Sequence, residues 1–205
     1  MWSSRTMSDL DHGPQADHDP EPDERERLNA HLQQLSEEQF RRQMRQAAIL
    51  LSSGNGADAI PLLERCFALH PEDVDVLVNL GGAYILAGQH RRAVPILERA
   101  SELAPHEPAV WSNLAAAYLG KLITSTRDRQ EKALAAYRRV IELDAAYPNV
   151  HYNMGLIYVD RREWDAAYEA FTRAIETNPH DEDAHNMRRR VDDLRSRPAQ
   201  PPSPN

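Results

Sequence analysis

The chain has 205 residues, of which 41% are apolar, so one or two ordinary domains with a sizeable core are within reach. No apolar run is long enough to span a membrane, and the lone cysteine, Cys66, cannot close an intramolecular disulfide, which suits a reducing, cytoplasmic compartment. The net charge is −8, and residues 9–26 carry −7 of it (eight acids against Arg25), so the remainder is near neutral and lacks the broad basic face that nucleic acid requires.

Residues 1–35 are acidic and polar, begin without the apolar core of a secretory signal, and are expected to be mostly disordered, with a frayed helix over 24–35. Ser36, with Gln39 three residues on, has the form of a capping box and predicts a helix start there. Residues 36–197 then read as continuous helical pattern, rich in Ala, Leu, Glu and Arg and without alternating β-branched runs. The end, 198–205, is Pro-rich and expected to be unstructured.

The helical region repeats itself. Leu80-Gly81, Leu114-Ala115 and Met154-Gly155 are equivalent pairs, each followed by Tyr84, Tyr118 or Tyr158. Ala59, Ala93, Ala133 and Ala167 open the second halves, with Leu63, Leu97, Tyr137 and Phe171 four residues after them. Pro71, Pro105 and Pro179 close three copies. Gly81 and Ala115 are 34 residues apart, and Ala115 and Gly155 are 40 apart. The first copy, around Ala47, is the most degenerate. Glycine inside a helix costs about 0.5–1 kcal/mol relative to alanine, so close helix approach is expected there, with the small Ala residues of the second helices facing it. Pro61 and Pro95 follow their alanines by two and are expected in the first turn of each second helix, where a missing N–H is tolerated.

This skeleton resembles the tetratricopeptide repeat family, whose unit is a 34-residue helix–turn–helix. The resemblance implies an all-α fold, an α-solenoid of stacked antiparallel helix pairs with right-handed superhelical stacking. The repeats fall at about 40–73, 74–107, 108–147 and 148–181, followed by a capping helix at 182–197 with Ala184, Met187, Val191 and Leu194 turned inward. It also implies a non-catalytic protein that holds a protein or peptide partner on the concave face of its first helices.

Asn79, Asn113 and Asn153 share one place in three copies, with Arg45 there in the first. In the family this place faces the groove, and an asparagine amide offers both the donor and the acceptor that a peptide unit needs. Met44, Val78, Ser112, Tyr152 and Leu156 share that face by helix geometry. The alternative is that these are ordinary solvated or structural asparagines. Carboxylate-clamp chaperone binding is not expected, because its Lys and Arg positions hold Met44 and Ala48, or Val78 and Gly82. No spacing suggests a metal site, a cofactor or catalysis. His151 stands where the third copy has Trp111 and reads as a packing residue, and Cys66 lies on a buried stripe.

The stretch "LGKLITSTRDRQEK" (119–132) breaks the period. Tyr84 to Ala93 and Tyr158 to Ala167 span nine residues, whereas Tyr118 to Ala133 spans fifteen. Insertion there costs little loop-closure entropy. Leu122 and Ile123 continue the spacing of Tyr118 and Leu119, which predicts a first helix one turn longer, a protruding hairpin, and an apolar tip that touches an adjacent repeat or a partner. Ser125 or Thr126 is positioned to cap the second helix. The leading function is a scaffold or assembly factor without direct membrane insertion. The alternatives are a self-associating structural solenoid, hence a homo-oligomer, and an accessory subunit of a larger complex, including a membrane-associated one.

Overall fold

The structure, a computed structural model, describes residues 22–196. The acidic stretch before Pro22 and the Pro-rich end lie outside the described residues. Nine α-helices and one 3₁₀ turn follow one another among the described residues: α1 (Pro22–Ser52), α2 (Gly56–Leu69), α3 (Val74–Leu86), α4 (His90–Leu103), α5 (Pro108–Leu119), the 3₁₀ turn (Leu122–Thr124), α6 (Arg127–Leu143), α7 (Val150–Asp160), α8 (Trp164–Thr177) and α9 (Glu182–Arg195). No strand occurs among them.

The chain divides into two compact units, residues 1–39 and 40–205. In the first, the leading part of α1 is largely exposed and carries an Asp23–Arg27 ion pair of 2.7 Å one turn apart. Ser36 lies inside α1 and caps nothing, so the expected helix start at Ser36 is corrected: the polar residues before it are good helix formers and the helix runs through.

In the second unit, three-residue connections join α1 to α2, α3 to α4 and α7 to α8, which makes each pair antiparallel. Helix starts are fixed locally: Asp73 and Asp181 accept the amides of Val76 and Ala184 at 3.1 and 2.9 Å. Between copies, Trp111 Nε1 donates to the Pro105 carbonyl at 3.0 Å, and His185 Nε2 lies 3.0 Å from the equivalent carbonyl of Pro179. Each such bond ties a first helix to the turn before it.

The core runs along the stack as linked clusters. Ala47, Ala59, Leu63, Leu80, Ala93, Leu97 and Leu114 form one, and Leu134, Tyr137, Val140, Val150, Met154 and Ile157 belong to another. Phe171 and Val191 seal the C-terminal end, where α9 covers α8. The small helical residues do permit close approach, but the groups that fill the space are large. A Cβ on Gly81 would lie 2.5 Å from Leu97 Cδ2, and one on Gly155 would lie 2.7 Å from Phe171 Cε1. So each glycine is met most closely by the bulky residue four after the alanine. Pro61 and Pro95 are the sixth residues of α2 and α4, a turn further in than expected, because each helix begins three residues before its alanine. Both prolines are exposed, as are Ala57 and Arg91, whose carbonyls lose a donor.

A hydroxyl–carboxylate bridge recurs between copies. Tyr84 donates to Glu64 at 2.8 Å and Tyr118 to Glu98 at 2.7 Å. Burial, followed by the bonded carboxylate, pushes each phenol up to about 12. The series stops at the next junction, where the residue twenty before Tyr158 is Arg138 rather than an acid.

The extended connection does not lengthen the first helix. Gly120, at φ +61° and ψ −136°, ends α5 one residue earlier than its equivalents, because no further helical residue fits that backbone. Four residues are added to the connection and three to the start of α6, which Thr126 caps through the Arg129 amide at 3.4 Å. The 3₁₀ turn lies against α7, and Leu122 packs half-buried on the second cluster. Ile123 is left 89% exposed.

A polar junction joins the start of α6 to the end of α7, and the added Arg127 takes part in it. Arg161, its side chain only 4% exposed, donates to Gln130 Oε1 at 2.8 Å, to the Arg127 carbonyl at 3.2 Å and to Glu131 at 2.6 Å. Gln130 in turn donates to Asp160 at 2.7 Å. The Arg161 bond holds the Glu131 carboxyl below the usual range.

Candidate functional site

The first helices α3, α5 and α7 place Asn79, Asn113 and Asn153 at equivalent half-buried positions. Asn79 and Asn113 come together. They line one concavity of about 320 Å³ whose apolar walls are Leu51, Val78, Ile85 and Leu86, with Gly82 leaving the floor open. Leu86 is 52% exposed, so the walls present apolar surface to anything entering.

The other residues on this face are distributed differently. Met44 is half-buried against the first core cluster, Arg45 is exposed on α1, and Ser112 is half-buried beside Asn113 in sequence. Tyr152 and Leu156 pack on the terminal cluster, and the Tyr152 ring meets Phe171 edge-on with centroids 5.5 Å apart. Tyr152 also lines a separate concavity of about 240 Å³ with Tyr147, His151, Asn178 and Asp181. Burial, then Arg173, lowers the His151 pKa below its ordinary value. Asn153 neighbours the buried Tyr137 phenol, whose pKa burial pushes up to about 12. The copies preceding α3 and α5 hold Leu63 and Leu97 at that place, which leaves Asn79 and Asn113 without a similar partner.

Among the described residues, no group of three or more His, Cys, Asp and Glu side chains converges as a metal would require. Cys66 is fully buried, contacts Gln43 Oε1 at 3.6 Å, and has its thiol pKa raised by burial and then by Asp73. No helix among the described residues is long and apolar enough to cross a membrane.

Stacked antiparallel helix pairs with a shared inner face define an α-solenoid of helical hairpins. Sequence profiles of the tetratricopeptide repeat match residues 50–118, 127–161 and 148–181, and residues 119–126, left between the first two, are the last residue of α5 and the extended connection. The chain belongs to the tetratricopeptide repeat family. No curated protein matches the sequence significantly. Among solved structures, it is similar to a crystal structure of MamA at 23% identity and TM-score 0.63, covering 73% of this chain and 84% of that one. A further structure, TTC0263, a thermophilic TPR protein of Thermus thermophilus, aligns at 20% identity and TM-score 0.64 over 77% and 84% of the two chains. These likenesses confirm the solenoid fold, and the repeats make the chain a protein-interaction scaffold.

Proposed function

We propose that the chain holds an extended segment of a partner protein in the concavity between α3 and α5. The observation that carries this reading is the meeting of Asn79 and Asn113 over an apolar floor. Each amide supplies one donor and one acceptor, the complement of a peptide unit, and the walls suit small apolar side chains. Asn153 does not line this concavity, and it has the polar Tyr137 beside it where the earlier copies have Leu63 and Leu97. The site is therefore two amides long rather than three. The scaffold works without chemistry of its own, in a cytoplasmic setting that suits the buried thiol of Cys66.

The test is a peptide array probed with the parent chain, Asn79→Ala/Asn113→Ala and Asn153→Ala. Loss of two amide pairs should weaken captured peptides by about tenfold or more, at about 1 kcal/mol per hydrogen bond. Asn153→Ala should capture the same peptides as the parent. Equal capture by all three chains would overturn the groove mechanism.

A further inference from the structure

The residues added in the third hairpin meet the turn of the hairpin before it. Gly88 and Gln89 of the α3–α4 turn and His90, Arg91 and Arg92 at the start of α4, with Gly120, Lys121, Thr124 and Arg129, line a concavity of about 390 Å³. A Cβ on Gly120 would lie 3.6 Å from the His90 ring and 3.8 Å from Arg129 Nη2, so the connection passes close over both. Four permanent cations line this space and no acid does. Arg92 is already used: it pairs with Glu64 at 2.6 Å and lies over the Tyr84 ring. Arg91, Lys121 and Arg129 have no carboxylate partner among the described residues, and the neighbouring Asp128 turns to Lys132 at 3.3 Å.

Three unpaired cations in one concavity repel one another, an arrangement that costs stability unless an anion fills it. Two local features point the same way. The first turn of α4 has no acidic residue, whereas α2, α6 and α8 have Asp58, Asp128 and Asp165 there. His90 Nδ1 is buried and without a hydrogen-bond partner, and burial, then Arg129 and Lys121, lowers its pKa, so the ring adds no charge of its own at neutral pH. Arg91 and Lys121 are exposed side chains on two different turns. Cations contributed by the start of α4, the connection and the start of α6 suit carboxylates spaced along a chain.

We infer that the extended connection completes a second binding site, at the hairpin turns rather than in the concave groove, which takes an acidic peptide segment of a partner protein. The inference is independent of the Asn79–Asn113 reading, since the two sites share no residue.

The experiment measures fluorescence anisotropy of labelled oligoglutamate with the full chain at low salt. Oligoglutamine and inorganic phosphate are the comparison arms. Oligoglutamate should bind and oligoglutamine should not. Arg91→Gln/Lys121→Gln/Arg129→Gln should weaken binding about tenfold, as expected of three ion pairs at or near the surface. The charge-matched control Arg42→Gln/Arg65→Gln/Arg190→Gln should bind like the parent, and so should Asn79→Ala/Asn113→Ala. Far-ultraviolet circular dichroism checks that each variant is folded. Equal loss in the two triple variants would reduce the effect to bulk charge and overturn the site. Displacement of oligoglutamate by equimolar phosphate would overturn the peptide assignment in favour of a small-anion pocket.

Discussion

Gly155→Ala isolates the contact that sets the helix spacing in the fourth copy. The new Cβ would lie 2.7, 2.8 and 3.0 Å from Cε1, Cζ and Cδ1 of Phe171, against the roughly 3.5–4.0 Å of normal carbon contact. A whole ring edge is therefore too close, and the ring has nowhere to go: it is fully buried and held edge-on by Tyr152. Overpacking of this kind costs about 1–3 kcal/mol, and the better helix propensity of alanine returns about 0.5–1 kcal/mol. The net expectation is a loss of about 0.5–2 kcal/mol, or about 2–4 °C in Tm for each kcal/mol in a chain of this size. Urea and thermal unfolding followed by circular dichroism would read it. In the Gly155→Ala background, Phe171→Leu should cost less than it does alone, giving a favourable coupling in the double-mutant cycle. A Gly155→Ala chain more stable than the parent would refute the reasoning, since propensity alone would then decide the site.

Removing the hydroxyls of Tyr84 and Tyr118 with phenylalanine should each cost about 0.5–1.5 kcal/mol, whereas Tyr158→Phe, which faces no acid in the series, should stay within about 0.5 kcal/mol; chemical denaturation compares the three. Arg161→Ala should cost about 2–3 kcal/mol by stranding the Gln130 amide oxygen and the Arg127 carbonyl, and Arg161→Lys should recover less than half, lacking the planar fork; the exposed Glu131 pair contributes little of this. His90 and His151 have folded pKa values below the ordinary histidine value of about 6.5, so the unfolded chain binds more protons in that range. Their contribution to stability is complete above about 6.5 and is lost as pH falls through it towards the folded values. Urea midpoints should drop between neutral and mildly acidic pH, and His90→Gln/His151→Gln should flatten that slope; an unchanged slope would contradict the assignment.

The repeat itself was legible because several landmarks recur together: Ala59, Ala93, Ala133 and Ala167 open their hairpins at one register, and Phe171 and Leu97 fall where the glycines need a partner. The capping-box pattern misled at Ser36, where good helix formers on both sides override a local cap. At Leu122 and Ile123 an apolar spacing suggested more helix, but one backbone angle at Gly120 decides otherwise, and spacing does not report backbone angles. Asn153 looked identical to Asn79 and Asn113 because the difference lies in Tyr137, sixteen residues away. The basic concavity was hidden by averaging. A nearly neutral body conceals Arg91, Lys121 and Arg129, which come together only when two turns are placed side by side.

The junction around Arg161 changes what the odd third repeat means for anyone who would regularise it. Where the tyrosine–glutamate bridge lapses, at Arg138, Gln130 and Glu131 form a replacement clasp with Asp160 and Arg161, and the added turn of α6 extends it through Arg127. Trimming this connection to the standard 34-residue length would take Arg127 out of the clasp, its carbonyl from Arg161 and its guanidinium from Glu163, and would restore no tyrosine bridge. A consensus version of this protein would be weakest at this junction, where a residue that looks like surplus helps to fasten α6 to the turn after α7.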